Sequence, residues 1–252
     1  MKYYNNQYTN RGIQPEHFQL ETTSLWSFPE RGNWASHNSN YRGNWSPYIP
    51  RNLILRYTNK NDIVLDQFIG GGTTLIETIL LGRRGIGIDA NSTAIKLSYH
   101  NIGNLTINTK FKLYEGDARK LDKIIDESVD LICTHPPYSD IIQYSEENEN
   151  DISRLEVNDF LNAMVDVAQE SFRVLKQGRY CTIMMGDIRK QGNIIPLGFK
   201  TMECFVSSGF LLKEIIIKQQ HNCRSTKYWG NKSLKYNFFL IQHEYIYVFK
   251  KI

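Results

Sequence analysis

Cysteine and long apolar runs are scarce in this sequence. Its 252 residues include four cysteines, with no C-x-x-C pair and no companion histidine at the spacing of a zinc site. No run reaches the ~18 uninterrupted apolar residues that a membrane span requires. The N-terminal stretch MKYYNNQYTN lacks the apolar segment of a signal peptide. These absences predict a soluble, cytoplasmic protein with no metal site and no membrane attachment.

Charge of one sign is not in large excess either. Lysine and arginine number 30 against 26 acidic residues, which gives a formal net charge of +4. That balance permits a nucleic-acid partner without requiring one. The class of partner must therefore be inferred from where the charges lie.

Basic and aromatic residues are interleaved in the first 56 residues and again in residues 220–236. Basic groups neutralise phosphates and aromatic rings stack on bases, so we expect 220–236 to be an exposed loop that contacts nucleic acid. The candidate contacts are Arg224, Lys227, Tyr228, Trp229, Lys232 and Lys235. The alternative is a solvated basic loop beside aromatic residues of the core.

Short apolar runs alternate with helical patterns from residue 62 onward. The strand-like runs are DIVLDQF (62–68), RGIGIDA (84–90), FKLYEGD (111–117), SVDLICT (128–134) and RYCTIMM (179–185). The helical patterns are TTLIETILLG, NSTAIKLSYHNI with Asn91 or Ser92 as its cap, and residues 156–176, the longest. This rhythm is typical of a three-layer, doubly wound α/β fold with a mostly parallel sheet.

The two ends of the chain depart from this rhythm. Residues 209–219 and 237–251 both resemble strands with no helix between them, which predicts an antiparallel pair that closes the sheet. Upstream, IPRNLILRYT predicts a helix. We expect a single domain over residues 1–252, with 1–45 as an N-terminal extension and 220–236 as the exposed connector.

A glycine-rich loop follows the first of these strands. Asp66 ends the strand, Gly70, Gly71 and Gly72 come next, and Thr73 and Thr74 open a helix. Ligands of open α/β sheets bind at the carboxyl ends of the strands, and glycines let the backbone approach a ligand closely. The Gly-Lys-Ser/Thr ending of a phosphate-binding loop is absent, and Leu75 stands where a nicotinamide-binding loop has its third glycine.

Acidic residues follow the next two strands. Asp89 is placed to accept hydrogen bonds from ribose hydroxyls, and Asp117 is placed to meet an adenine amino group. The alternatives are a solvent-facing acid for Asp89 and helix N-capping for Asp117. Together with the glycine loop, these residues predict a pocket for an adenosine-containing ligand.

The fourth strand runs directly into the stretch THPPY, residues 134–138. Proline cannot continue a sheet ladder or a helix, so Pro136 and Pro137 hold the chain in one shape at the strand end. Because this is the same edge of the sheet, the rigid turn is expected to lie beside the glycine loop.

LDQFIGGGTT followed by THPPY resembles the S-adenosylmethionine-dependent amino methyltransferases of DNA. That family has an F-x-G-x-G loop that binds the cofactor and a later S/D/N-P-P-Y/F/W motif. RGNWSPYIPRNLILRYT resembles the segment that closes over the methionine end of the cofactor, and HEYIYVFKK resembles the family's last strand, so the likeness spans residues 41–252. It implies a Rossmann-like class I fold and a cofactor site. The residues implied for that site are Asp66, Phe68, Gly70, Gly71, Gly72, Thr73, Thr74, Asp89, Asp117, Pro50 and Arg51.

The resemblance also implies roles for the second motif, with Thr134, His135, Pro136, Pro137 and Tyr138 as the catalytic group. The exocyclic amino group of a base is a poor nucleophile because its lone pair is delocalised into the ring. Two acceptors, the side chain of His135 and the carbonyl of Pro136, would grip its N–H groups and direct the lone pair at the methyl sulfonium. Tyr138 would stack on a base flipped out of the duplex.

His135 departs from the family pattern, which has serine there for cytosine N4 or aspartate and asparagine mostly for adenine N6. Thr134 before the motif favours cytosine N4, with adenine N6 as the alternative; an RNA base methyltransferase and an inactive DNA-binding subunit are further alternatives. A neutral imidazole has one acceptor nitrogen and an imidazolium has none, which predicts a loss of activity around the unperturbed pKa of ~6.5. His135 could instead position its neighbours without touching substrate.

The likeness suggests restriction–modification or phage biology, and hence a prokaryotic or phage source. Residues outside the catalytic core are few. Recognition of a DNA target is therefore expected from the N-terminal segment, from residues 220–236, or from an oligomer such as a homodimer.

Overall fold

A computed structural model describes residues 12–105, 110–145, 148–222 and 226–252. Its strands are β1 (Leu25–Ser27), β2 (Ile63–Asp66), β3 (Arg84–Asp89), β4 (Phe111–Glu115), β5 (Val129–Thr134), β6 (Leu175–Met185), β7 (Ile188–Lys190), β8 (Asn193–Ile195), β9 (Leu211–Gln219) and β10 (His243–Lys250). Its α-helices are α1 (Tyr48–Tyr57), α2 (Thr73–Leu80), α3 (Ser92–Gly103), α4 (Val157–Val174), α5 (Leu197–Ser207) and α6 (Thr226–Tyr236).

An eight-stranded sheet runs through the molecule in the order β1-β9-β10-β6-β5-β2-β3-β4. Strands β2 to β6 pair in parallel with one another, whereas β10 is antiparallel to both β6 and β9. The mostly parallel sheet with an antiparallel C-terminal pair confirms the fold class predicted from the sequence. β1 comes from the predicted N-terminal extension and pairs in parallel with β9.

Helices cover both faces of this sheet. On β10, Tyr245, Tyr247 and Phe249 pack in a core with residues of α4 and α5. The alternate residues Ile246 and Val248 pack with Ile49, Leu53 and Ile54 of α1 on the opposite face. This period of two places each strand between two apolar layers, as a three-layer fold requires.

The connector between β9 and β10 was wrongly predicted as a long loop. It contains helix α6, and strand β10 begins at His243 rather than near residue 237. The i and i+4 positions of α6 support a helix: the ammonium of Lys232 lies 4.5 Å from the centre of the Tyr228 ring, one turn away. Gly230 in the middle, which disfavours a helix by about 1 kcal/mol relative to alanine, obscured the pattern in the sequence.

Across the part of the chain that the structure describes, no helix is long and apolar enough to cross a membrane. Within the same residues, His, Cys, Asp and Glu side chains do not gather in threes as the ligands of a metal ion would. Cys133, Cys181 and Cys204 are buried free thiols.

Candidate active site

Asp66 connects three of the segments that the sequence singled out. Its Oδ1 accepts hydrogen bonds from the Thr134 hydroxyl at 2.6 Å and from the backbone N–H of Phe68 at 3.1 Å. Its Oδ2 accepts one from the Thr74 hydroxyl at 2.5 Å. Burial raises the pKa of Asp66 to about 6, against the lowering effect of these donors. Thr74 and Thr134, predicted as ligand and catalytic contacts, thus hold the carboxylate that joins the glycine loop to the Pro-Pro turn.

The glycine loop is held from both sides by hydrogen bonds. The N–H of Gly70 donates to Oδ2 of Asp89 at 2.9 Å, and the N–H of Gly71 donates to Oδ1 of Asn44 at 3.3 Å. Gly70 has a φ of +50°, and a Cβ on Gly71 would lie 2.6 Å from Nδ2 of Asn44. Neither position has room for a side chain unless the N-terminal segment moves.

A first cavity opens over this loop at the carboxyl ends of β2 and β3. Phe68, Gly70 and Thr73 form part of its wall, Asp66, Asp89 and Asp151 give it acidic groups, and Tyr41, Trp45 and Tyr144 come from segments that cover it. The Tyr41 and Tyr144 rings stack with centroids 5.6 Å apart. Burial raises the pKa of Asp89 to about 6.

S-adenosylmethionine fits the chemistry of this cavity. Its adenosine offers an aromatic base and ribose hydroxyls, which suit the apolar wall of Phe68, Ala118 and Ile152 and the carboxylate of Asp89. Its sulfonium and ammonium are cations, which suit an acidic lining. A Cβ on Gly70 or Gly71 would meet Tyr41 or Asn44, so the glycines let these covering residues lie close to the loop.

Six of the predicted cofactor contacts do not line this cavity: Gly71, Gly72, Thr74, Pro50, Arg51 and Asp117. The Arg51 guanidinium is turned into a buried cluster, where it donates to Glu77 Oε2 at 2.8 Å and to Gln14 Oε1 at 2.5 Å. Pro50 is buried beside it in α1. Asp117 accepts from the backbone N–H of Arg119 at 2.8 Å and pairs with its guanidinium, so a local turn and this ion pair account for it. The structure describes the whole stretch from Asp117 to β5 and no helix begins in it, so the helix N-capping alternative is wrong as well. Ala118, its neighbour, lines the cavity instead.

A second, larger cavity lies against the first, and the THPPY turn forms the wall between them. Pro136 and Tyr138 face the second cavity, whereas His135 and Pro137 line both. Lys218 and Glu244 line the second cavity and were not identified from the sequence. Trp45, which also lines both, stacks on His135 with ring centroids 5.5 Å apart. The sequence placed the rigid turn beside the glycine loop, and the structure has this arrangement.

His135 begins a chain of side-chain contacts along this wall. Its Nε2 lies 3.0 Å from the hydroxyl of Tyr138, and that hydroxyl donates to Oε1 of Glu244 at 2.7 Å. Lys218 pairs with Oε2 of Glu244 at 2.8 Å. Gly186 leaves room for the ring, since a Cβ there would lie 2.9 Å from Cε2 of Tyr138.

The protonation of His135 differs from the sequence-based prediction. Burial lowers its pKa to about 4; the charges of Lys218 and Arg31 lower it as well, while the charge of Glu244 and a hydrogen bond with the Gly43 backbone oppose the decrease. The sequence-based prediction that activity is lost around the unperturbed pKa of ~6.5 is therefore wrong. The ring is neutral at pH 7 and has one acceptor nitrogen.

Helix α6 carries five of the six candidate DNA contacts, Lys227, Tyr228, Trp229, Lys232 and Lys235. Tyr228 and Trp229 are 56% and 47% exposed. The ammonium of Lys232 lies 4.5 Å and 5.1 Å from the centres of their rings, and that of Lys235 lies 5.1 Å from the Tyr236 ring. Arg224 and the side chain of Lys227 lie outside the described residues.

Comparisons with known proteins identify methyltransferases as similar proteins. A family model described as DNA methylase matches residues 1–100 and 129–252, and a model described as RMKL-like methyltransferase domain matches residues 53–185. The type II methyltransferase M.MjaI of Methanocaldococcus jannaschii is 30% identical over 175 residues, which are 59% of this chain and 58% of that protein. The tRNA (guanine(10)-N2)-dimethyltransferase of Methanothermobacter thermautotrophicus is 37% identical over 99 residues, 39% of this chain and 29% of that protein. The chain thus spans less than two thirds of the length of either relative.

A solved S-adenosylmethionine-dependent methyltransferase from Methanosarcina mazei shares the fold, with a TM-score of 0.56 at 17% identity over 79% of this chain and 97% of that one. Fold and site together define a class I methyltransferase with S-adenosylmethionine as its cofactor. The chain belongs to the DNA methylase family, whose model matches most of its length.

Proposed function

We propose that this chain transfers a methyl group from S-adenosylmethionine directly to an exocyclic amino group of a base in DNA. The observation that carries the proposal is the THPPY turn, in which His135 and Pro137 line both the glycine-loop cavity and the adjoining larger cavity. A methyl donor in the first cavity and a flipped-out base in the second would meet at this wall.

The residues of the wall have distinct tasks in this proposal. The bound cofactor supplies an electrophilic methyl group on a sulfonium. Neutral His135 and the carbonyl of Pro136 accept hydrogen bonds from the amino group of the base, which directs the nitrogen lone pair at the methyl carbon. The Tyr138 ring, whose hydroxyl is fixed by Glu244, offers a face on which the base stacks.

Cytosine N4 is the favoured acceptor, and adenine N6 is the second candidate. The preference rests on Thr134 preceding the motif, as in the cytosine-specific pattern that the sequence resembles. The Thr134 hydroxyl is engaged by Asp66, so it supports the turn rather than the base. We propose a cytoplasmic restriction–modification or phage setting, with target recognition from α6, the N-terminal segment or a homodimer.

A base in RNA is the competing substrate class. It is supported by the similarity to a tRNA (guanine(10)-N2)-dimethyltransferase. The exposed aromatic and basic side chains of α6 would suit a single strand as well as a duplex.

Transfer of a labelled methyl group separates these candidates. The purified chain is incubated with labelled cofactor and either plasmid DNA or total RNA, and the modified nucleoside is identified by mass spectrometry. We expect N4-methyldeoxycytidine from plasmid DNA, loss of the signal in His135→Ala, and full signal in the control His100→Ala, an exposed histidine on α3. Label in RNA alone would favour the competing class, and no label in either would favour an inactive DNA-binding subunit.

A further inference from the structure

Glu244 is the far end of the chain of contacts that begins at His135. It lies on β10, is 7% exposed, and has both carboxylate oxygens engaged, one by Tyr138 and one by Lys218. A nearly buried carboxylate is costly unless it is paired and hydrogen-bonded. Because β10 is antiparallel to β6, the first residues of β10 lie at the carboxyl end of the parallel strands, beside the THPPY turn.

The proton positions along this chain follow from counting hydrogens. Burial raises the pKa of Glu244. The charge of Lys218, hydrogen bonds from Lys218 and Tyr138, and the charge that His135 carries when protonated outweigh burial and hold the pKa below its ordinary value. An ionised carboxylate only accepts, so the single hydrogen of the Tyr138 hydroxyl goes to Glu244. Nε2 of His135 must then donate to the Tyr138 oxygen, and Nδ1 of the neutral ring carries the lone pair.

The backbone of Gly43 competes for the same proton. A hydrogen bond between that backbone and the ring favours protonation of His135. If the neutral ring donated its proton to Gly43, Nε2 would carry no hydrogen and would have to accept one from Tyr138. The Tyr138 hydroxyl has a single hydrogen, so it could not donate to both His135 and Glu244. The ionised Glu244 favours the other arrangement because it retains the Tyr138 hydrogen.

We propose that Glu244 is a positioning residue for methyl transfer: through the Tyr138 hydroxyl it keeps the proton of His135 on Nε2 and leaves Nδ1 as the acceptor for the amino group of the base. This rests on the proposed function. In the transfer, the amino nitrogen bonds to the methyl carbon, the carbon–sulfur bond breaks and its electron pair stays on sulfur. A proton of the methylated amino group then passes to Nδ1. The imidazolium so formed lies in the field of Glu244.

Other charges also act on the ring. Lys218 on β9 and Arg31 in the N-terminal segment oppose a positive charge on His135, whereas Glu244 favours it. Removing the charge of Glu244 is therefore expected to affect both the tautomer and the basicity of the ring. Glu244→Gln preserves size and an acceptor for Tyr138, so it tests the charge rather than the packing.

The test combines histidine NMR and kinetics on the full chain. Long-range ¹H–¹⁵N correlation on ¹⁵N-histidine-labelled protein distinguishes the two tautomers, and His135→Ala assigns the signal. Glu244→Gln and Tyr138→Phe are compared with Glu214→Gln, which removes an exposed carboxylate from β9. We expect the Nε2–H form in the wild type and in Glu214→Gln, and a mixed population in the other two. We also expect kcat to fall roughly tenfold or more in those two, with an unchanged KM for the cofactor.

The proposal would be overturned if the wild type had the Nδ1–H tautomer. It would also be overturned if Glu244→Gln had the same tautomer and the same kcat as the wild type.

Failure of this proposal is distinguishable from failure of the proposed function. If the wild type methylates no nucleic acid but Glu244→Gln still changes the His135 tautomer, the coupling stands and the substrate assignment fails. If the wild type methylates DNA and Glu244→Gln does so equally well, only the role of Glu244 fails.

Discussion

At the scale of single residues, His135 has one fixed orientation. The Trp45 ring stacks on it, and Tyr138 holds its Nε2 at 3.0 Å. An acceptor must lie within hydrogen-bonding reach of the proton that it meets, so a fixed ring favours catalysis. Since burial lowers the pKa of His135 to about 4, its charged form is reached only on the acid side of the usual range.

Protonation of His135 gives a prediction for pH. Burial raises the pKa of Asp66 and of Asp89 to about 6, so both titrate in the wild type and in His135→Asn alike. We expect the ratio of the wild-type to the His135→Asn methyl-transfer rate, at saturating cofactor and DNA, to be constant from about pH 8 to about pH 5, and to fall towards pH 4 as the acceptor nitrogen is protonated. Single-turnover rates across this range measure it. His135→Asn is the reference because its amide oxygen accepts hydrogen bonds without titrating. A decline centred near pH 6.5 in the wild type that His135→Asn lacks would contradict the burial argument.

At the scale of elements, the glycine loop between β2 and α2 is closely packed against the N-terminal segment. A Cβ on Gly71 would lie 2.6 Å from Asn44, whereas a Cβ on Gly103 would meet no atom within 4 Å. We expect Gly71→Ala to weaken cofactor binding by about 1–3 kcal/mol, because Asn44 must move out of the cavity wall. Calorimetric titration measures the affinity, with Gly103→Ala as the matched control. Equal affinities for the two variants would show that the loop does not approach the cofactor.

Helix α6 allows a test of DNA contact. We expect Lys232→Ala to reduce the slope of log K against log salt concentration by about 0.9, as loss of one phosphate contact does. Trp229→Ala should cost roughly 1–3 kcal/mol with no change in slope, because it removes a stacking surface. Fluorescence anisotropy on a labelled duplex measures both. The control is Lys112→Ala, an exposed lysine on β4 at the edge of the sheet. If Lys232→Ala and Lys112→Ala change the salt dependence of DNA binding equally, α6 is not part of the DNA interface.

At the scale of the whole molecule, the strand order assembles the site. β10, β6, β5 and β2 are consecutive neighbours, so Glu244 meets Tyr138, and Asp66 meets Thr134, although these residues lie far apart in the sequence. A buried cluster fixes the segment that covers them: Glu77, 0% exposed, accepts from Trp34, His37 and Arg51. This cluster attaches the N-terminal segment to α2.

Breaking that cluster should destabilise the fold. We expect Glu77→Gln to lower the free energy of unfolding by about 3–5 kcal/mol, because it leaves the buried charge of Arg51 without its partner. Asp126→Asn, which breaks the exposed pair with Arg173, should cost at most about 1 kcal/mol. Urea unfolding measures both. Similar costs for the two variants would mean that the N-terminal segment is not held by Glu77.

Most of the sheet and the two motifs could be predicted because their signals are local. Apolar runs bounded by glycine and aspartate marked the parallel strands, and glycine and proline reported backbone shape directly. Helix α5 was missed although Leu197, Thr201, Cys204 and Phe205 recur at helical spacing and are buried. Gly198 and the preceding Pro196 obscured that signal.

The residues that the sequence could not place depend on tertiary pairing. Arg51 resembles a ligand contact in sequence, but its direction is set by Glu77 on another helix. Glu244 resembles an ordinary strand residue, and only the antiparallel pairing of β10 with β6 brings it to Tyr138. Burial, which sets the pKa of His135, is likewise a property of the assembled molecule.

A crystal structure of the chain with the demethylated cofactor and a short DNA duplex tests the central claim most directly. We expect the cofactor sulfur over the glycine loop, and an extruded base on the other side of Pro137 with its amino nitrogen about 2.6–3.2 Å from His135. A cofactor bound elsewhere, or a base whose amino group points away from the sulfur, would contradict it.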